Sequence, residues 1–345
     1  MVPSLSPFVA VSAGIAARAV PLAAWLGIVV GVVAMFQRRV LCRWICPTGL
    51  CLEGANWLGR RLKRNPGRWP SIGRWIVLLT LGGACLGYPL LLWLDPLALF
   101  AGVFTTFGLA AVVAFTILWP GLWCGRLCPL GAFQDLLHAG FASVRSLFVG
   151  KRDGSEEAGL SRRVVLGAAA GAGSAAILCF AQRNDAPALR PPNARTGPQF
   201  LGLCTRCGNC VRVCPTGVIE HDVGGHGLAS LLTPVLSFRR GYCREDCTRC
   251  GEVCPSGAIR PLPVRDKATV RIGLPRVDRD VCLLSEDREC SACARWCPYG
   301  AIRYVFSEES YSLQVKIDPQ KCNGCGACEA ACPTKPRKAI VVLPV

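Results

Sequence analysis

The sequence predicts a membrane α-helical N-terminal domain followed by an α+β domain organised around cysteine, and three observations carry that prediction. Apolar residues make up 52% of the 345, more than a single soluble domain needs. Three long apolar runs precede residue 120, and cations crowd the segment between the first two. Sixteen of the 23 cysteines follow residue 200, in four groups of four.

The membrane region is expected over 1–150. Its spans are Ala19–Phe36, Trp75–Leu94 and Leu97–Trp119, each near the length that a hydrocarbon core demands. Trp75 and Trp93 bracket the second run and Trp119 and Trp123 close the third, as interfacial tryptophans do. The segment 37–74 holds nine Arg or Lys against the single acid Glu53. That asymmetry predicts a cytoplasmic loop. Between the second and third runs stand only Asp95 and Pro96, so that turn is expected outside.

A repeat runs through this region. Leu5-Ser6-Pro7-Phe8 opens a stretch ending in Cys42-x3-Cys46-Pro47, and Leu94-Asp95-Pro96-Leu97 opens one ending in Cys124-x3-Cys128-Pro129. Residues four apart on a helix share a face, so each pair can point one way. If the copies pack about a pseudo-two-fold axis, Cys42, Cys46, Cys124 and Cys128 converge. Four thiolates would serve an additional iron–sulfur cluster or a pair of redox-active disulfides; the third reading is that Cys-Pro merely ends each helix.

An amphipathic stretch, Ala132–Phe148, follows, and then residues 151–181. These comprise a charged linker, Lys151–Glu157, and the run SRRVVLGAAAGAGSAAILCF. Twin arginines before a mildly apolar Gly/Ala run form the pattern of a twin-arginine export signal. Here it is expected to remain as an anchor, and a plain fourth span is the alternative. A linker over 182–198 leads to the last domain, 199–345, which divides into 199–265 and 266–345.

The four cysteine groups are Cys204-Cys207-Cys210-Cys214, Cys243-Cys247-Cys250-Cys254, Cys282-Cys290-Cys293-Cys297 and Cys322-Cys325-Cys328-Cys332. Each ends in Cys-Pro. The first and last read C-x2-C-x2-C-x3-C-P, the bacterial ferredoxin run, in which three thiolates hold one four-iron cube and the fourth reaches the neighbouring cube. Structural zinc uses separated pairs instead, and an odd cysteine count disfavours a pure disulfide framework.

Four [4Fe-4S] clusters in a tandem ferredoxin-like α+β domain are therefore expected. The crossing rule gives the sets Cys204, Cys207, Cys210, Cys254 and Cys243, Cys247, Cys250, Cys214. It likewise gives Cys282, Cys290, Cys293, Cys332 and Cys322, Cys325, Cys328, Cys297. Cys243 and Cys282 stand farther from their groups than the simple run requires.

Net charge is +17, which alone would suggest nucleic acid. Through Arg163, however, the chain carries 16 Lys/Arg against 6 Asp/Glu, a topology signal. The remaining +7 would be largely cancelled by four clusters at roughly −2 each. No C-x-x-C-H haem site, paired carboxylate, nucleophile elbow or phosphate loop is present, so no catalytic residue for an organic substrate is assigned.

Two resemblances cover nearly the whole chain. LCRWICPTG and WCGRLCPLGAFQDLL resemble the NapH/MauN/NosR-type membrane polyferredoxins. The run RPPNARTGPQFLGLCTRCGNCVRVCPTGVI resembles the NapG/MauM-type exported four-cluster ferredoxins. Together they imply a fusion of two proteins that elsewhere act as partners, in the inner membrane, with the ferredoxin domain on the periplasmic side. Its role would be to pass electrons from the quinol pool, with quinone as redox partner, to an exported redox enzyme or c-type cytochrome. The alternative that the MauM/MauN likeness implies is a redox maturation factor for an exported enzyme.

One variant tests the least regular ligand. Cys282→Ala should lower iron below the about sixteen atoms per chain that four cubes hold; unchanged iron by elemental analysis would remove Cys282 from the ligands.

Overall fold

The computed structural model describes residues 2–37, 39–44, 46–62, 70–102, 112–149, 162–182, 187–286, 288–308 and 311–344. The chain forms two compact units. The first comprises Met1–Asn184, Thr196–Asn209 and Pro255–Ala258. The second comprises Asp185–Arg195, Cys210–Cys254 and Ile259–Val345. The charged linker Lys151–Glu157 lies outside the described residues.

The first unit is helical: α1 Pro7–Ala17, α2 Trp25–Phe36, α3 Val40–Trp44, α4 Pro47–Arg61, α5 Ile72–Cys85, α6 Pro96–Ala101, α7 Pro129–Val149, α8 Arg162–Ala181 and α9 Gly197–Leu203. The repeat is visible in its caps. Ser6 caps α1 by accepting from the Val9 N–H, and Asp95 caps α6 by accepting from Leu97 and Ala98. These equivalent residues also meet: the Ser6 hydroxyl donates to Asp95 Oδ1 at 2.8 Å, and both are wholly buried. Around them Phe8, Leu41, Leu92, Leu97, Leu130 and Phe133 form the apolar core.

The three expected spans are not continuous helices. Arg18 adopts a left-handed conformation that ends α1, and the run after it passes through one 3-10 turn, Leu22–Ala24, and is α-helical only from Trp25. Twelve residues rise about 18 Å, against a hydrocarbon core of about 30 Å. The run Trp75–Leu94 breaks after Cys85, where Gly87 takes φ +84°, a value that glycine reaches without strain. The third run stops at Gly102; residues 103–111 lie outside the described residues. Among the described residues, only Val164–Ala181 within α8 is long and apolar enough to cross a membrane, by length and composition.

That helix packs on α5 through small residues. Gly167, Gly171 and Ala175 form one buried stripe, and a Cβ on Gly171 would overlap the Leu79 carbonyl, as one on Gly82 would overlap Ala168. Close backbone approach of this kind is how helices associate where no water drives them together. Contacts advance together along both helices, from Gly167 against Trp75 and Leu78 to Ala175 against Gly83. The helices therefore run parallel.

The second unit is α+β. Its strands β1 Ile219–His221 and β2 Pro234–Leu236, β3 Leu274–Val277 and β6 Ile340–Leu343, and β4 Ile302–Ser307 and β5 Ser312–Ile317 form three antiparallel pairs. Each cysteine group carries its third cysteine on a short helix: α10 Asn209–Val213, α11 Arg249–Glu252, α12 Ala292–Arg295 and α13 Ala327–Ala331. The fourth cysteine follows within two residues of the helix end, and in the first three groups a buried isoleucine five residues later, Ile219, Ile259 or Ile302, enters a strand or bridge. In the last group the tail is longer and the residue is Ile340.

The expected boundary at 199 is crossed by the fold, since Thr196–Asn209 belongs to the first unit. The reason is packing. In α9, Phe200 and Leu203 are buried, Gly202 lies against the Tyr88 ring, and Gln199 donates to the Ala16 carbonyl at 3.2 Å.

A leucine at Gly171 should cost about 1–3 kcal/mol by overpacking. The same change at Gly173, which has nothing within 4 Å of its would-be Cβ, should cost far less. Thermal unfolding of the two full-length variants in detergent measures the contrast, and equal losses would refute the α5–α8 crossing.

Candidate functional site

No disulfide is formed among the described cysteines. In the first unit the two Cys-Pro steps share one local geometry. The Cys46 N–H donates to the Leu41 carbonyl at 2.8 Å, and the Cys128 N–H to the Trp123 carbonyl at 2.8 Å, both five residues back. Cys46 and Cys128 then turn extended, because a residue before proline is barred from the α region. Pro47 and Pro129 start α4 and α7.

These turns bring the two copies together. Gly131 belongs to the second copy, yet a Cβ there would lie 3.9 Å from the Cys42 sulfur and 4.0 Å from that of Cys128. Burial, then Cys46 and Cys124 nearby, push the Cys42 thiol up to about 12. Burial and Cys46 push Cys124 to about 11. Cys128 is raised by burial and by Cys42 and Cys124. Each thiol thus feels thiols of the other copy.

Side chains that the sequence reading passed over surround this set. Arg39 forks onto Asp135, with Nη2 donating to Oδ2 at 2.6 Å and Nε to Oδ1 at 3.1 Å, and its Nη1 reaches the Cys124 carbonyl at 3.3 Å. Buried Gln134 accepts from the Leu41 N–H and donates to the Cys42 sulfur at 3.3 Å. His138 Nδ1 sits 2.9 Å from the Met35 carbonyl, a structural contact.

Among the described residues of the second unit, one cavity is lined by Cys282, Cys290, Cys293 and Cys332 and closed by apolar Val277, Leu284 and Ile340. Another is lined by Cys214, Cys243, Cys247 and Cys250. Cys297 acts electrostatically on both Cys322 and Cys325, and these two act on Cys328. The remaining four are divided: Cys204 and Cys207 belong to the first unit, where Cys207 packs on Ala98 and Ala101, and Cys210 and Cys254 belong to the second.

Among the described residues, no group of three or more His, Cys, Asp or Glu could hold a single metal ion. A tetrahedral ion draws four sulfurs onto one atom, whereas a cube gives each thiolate its own iron and spaces them apart. The donor chemistry, four sulfurs around an apolar cavity, fits a cube.

Every fourth cysteine accepts hydrogen bonds from its own tail. Thr216 lies 3.6 Å from the Cys214 sulfur and Thr334 3.2 Å from that of Cys332. The Ile259 N–H donates to Cys254 and the Ala301 N–H to Cys297, both at 3.4 Å. Burial pushes Cys214 and Cys332 up, but these hydroxyls and several backbone N–H groups outweigh it, so both thiols sit below the ordinary value. Cys250 and Cys325, with fewer donors, are pushed by burial to about 12. The threonines were visible in CPTGVI and CPTKPRKAI; buried Lys267, which donates to the Cys247 carbonyl at 2.5 Å, carried no sequence signal.

Comparison with known proteins follows this division. A 4Fe-4S dicluster domain model matches residues 203–258 and 288–335, and a 4Fe-4S binding domain model matches residues 18–66 and 101–152, one segment for each Cys-x3-Cys-Pro copy. The chain is 34% identical over 182 residues to the methylamine utilization ferredoxin-type protein MauM of Methylorubrum extorquens, covering 51% of this chain and 81% of that protein. It is 30% identical over 159 residues to the ferredoxin-type protein NapF of Escherichia coli K12, covering 46% and 87%. The ferredoxin-type protein NapG of the same strain is 32% identical over 167 residues, covering 46% and 71%. No solved structure matches. With its iron–sulfur-binding domains and these relatives, the chain belongs to the family of ferredoxin-type proteins that includes NapF, NapG and MauM.

Proposed function

We propose that this ferredoxin-type protein is a membrane-anchored electron conduit that takes electrons from quinol and delivers them to an exported redox enzyme or c-type cytochrome. The observation that carries the proposal is the pairing of two cysteine arrangements in one chain: the four thiols gathered between the repeat copies, and the cysteine-lined cavities of the α+β unit. The sixteen cysteines of the four groups would hold four cubes in the crossed sets given above. Cys42, Cys46, Cys124 and Cys128 would hold a further cluster or act as redox thiols; the match of the 4Fe-4S binding domain model to both copies favours the cluster. When bound, such clusters accept and release single electrons.

The chain's own residues do the rest. The thiolates hold the irons, the tail hydroxyls and N–H groups spread the sulfur charge, and the apolar cavity walls exclude water. Donors to sulfur of this kind raise the potential of a cluster.

Anchoring is supported by the long apolar α8 and by the exposed apolar face of α2, where Val29 and Phe36 are 59% and 64% exposed. A soluble surface rarely carries so continuous a patch. Parallel α5 and α8 fit a topology in which both start on the cation-rich side, with the α+β unit outside. On this reading the N-terminal half is of the NapH/MauN/NosR type.

The likeness to MauM favours a second reading, a maturation factor supplying electrons for cofactor assembly in an exported enzyme. In membranes containing the protein, a quinol analogue should bleach the iron–sulfur absorbance. Clusters that stay oxidised would sink the conduit reading. A deletion strain that still exports a fully loaded partner enzyme would exclude the maturation reading.

A further inference from the structure

Lys267 is the most unusual charged residue in the α+β unit. It sits in the turn Val264–Thr269, far from any cysteine in sequence, yet is only 1% exposed. Burying an ammonium is costly unless it is paired or fully hydrogen-bonded. Among the described ion pairs none involves Lys267; its charge reaches Asp246, but Asp246 is bonded to Arg244.

Instead the ammonium is aimed into the loop of the second cysteine group. Its Nζ donates to the carbonyls of Arg244 and Cys247 and to the side chain of Cys243, and it acts electrostatically on Cys243 and Cys250. The Lys267 carbonyl accepts from Asn323 Nδ2 at 3.5 Å, and the same amide reaches the Tyr299 hydroxyl at 2.9 Å. Buried Asn323 thereby ties the turn to Tyr299.

Among the described residues, the cavity lined by Cys282, Cys290, Cys293 and Cys332 has no equivalent. Lys338 bonds the Cys332 carbonyl, but it is only half-buried and acts on the carboxylate of Glu329. Among the described residues, a fully buried cation thus lies behind the cysteine loop of one cavity, whose lining also carries the more exposed Arg244 and Arg249, and none lies behind that of the other.

We propose that Lys267 is a built-in counter-ion for the thiolates Cys214, Cys243, Cys247 and Cys250, which makes a cluster held there the more readily reduced of those at the two cavities. This rests on the reading that these cysteines hold a cube. Reduction adds one electron, taking the cube with its thiolates from roughly −2 to −3, and requires no proton. A fixed positive charge in a water-poor site favours the more negative form. Lys267 is a positioning residue, acting on the potential through charge.

The test is a dithionite titration of the full-length protein followed by electron paramagnetic resonance, with iron counted in parallel. Lys267→Gln keeps donors for the carbonyls of Arg244 and Cys247 but removes the charge; Lys267→Met removes both; Lys267→Arg keeps the charge. At the wild-type midpoint of one component, K267Q and K267M should lower its reduced-to-oxidised ratio about tenfold, equivalent to 59 mV for one electron. K267R should stay within about twofold, and the other components should not move.

Loss of one cluster's iron in the two neutral variants but not in K267R would also support the proposal. Full iron with unshifted components in K267Q would overturn it while leaving the cluster reading intact, as would equal shifts in K267R and K267Q or iron loss in all three. Wild-type iron well below about sixteen atoms per chain would overturn both.

Discussion

Six times in this chain a cysteine stands directly before a proline, and that step is the constraint on which the rest depends. Proline excludes the preceding residue from the α region, so the cysteine must leave its helix where its sulfur would otherwise follow the helix face. Cys46, Cys128 and Cys332 all adopt extended backbone with ψ of 109°, 117° and 124°. In the first unit the step ends one helix and starts the next. In the second it detaches the fourth cysteine of a group from the three before it.

The surroundings of the step decide what the freed sulfur meets. In the α+β unit the following residues curl back as donors, so Cys214, Cys254, Cys297 and Cys332 each receive hydrogen bonds from their own tails. In the helical unit α4 or α7 continues instead, and the sulfurs find the other copy of the repeat. Arg39, Gln134 and Asp135 then tie the copies across the four thiols. These are not symmetric: they join residues 39–42 of one copy to α7 of the other, so the site has one polar side.

The organisation of the N-terminal region was only partly legible. Apolar composition and the positions of cations could be read directly, because both are sums over residues. The breaks were not, because Gly87 and Gly102 are tolerated in either a helix or a turn, and packing chose the turn. The same holds for Thr196–Asn209, which by composition joins the cysteine-rich region but which Tyr88, Ala98 and Ala16 hold in the first unit.

Read alone, the chain establishes which cysteines form groups, how they are spaced, and that each group ends in Cys-Pro. All of these depend on spacings of a few residues, where backbone geometry leaves little choice. Three-dimensional packing is what brings Ser6 to Asp95, sets the two Cys-x3-Cys-Pro copies against one another, and buries Lys267 against the loop of Cys243 and Cys247. Such meetings join segments about 20 to 90 residues apart, and their energy comes from burial and from satisfying polar groups away from water. No local pattern records that energy.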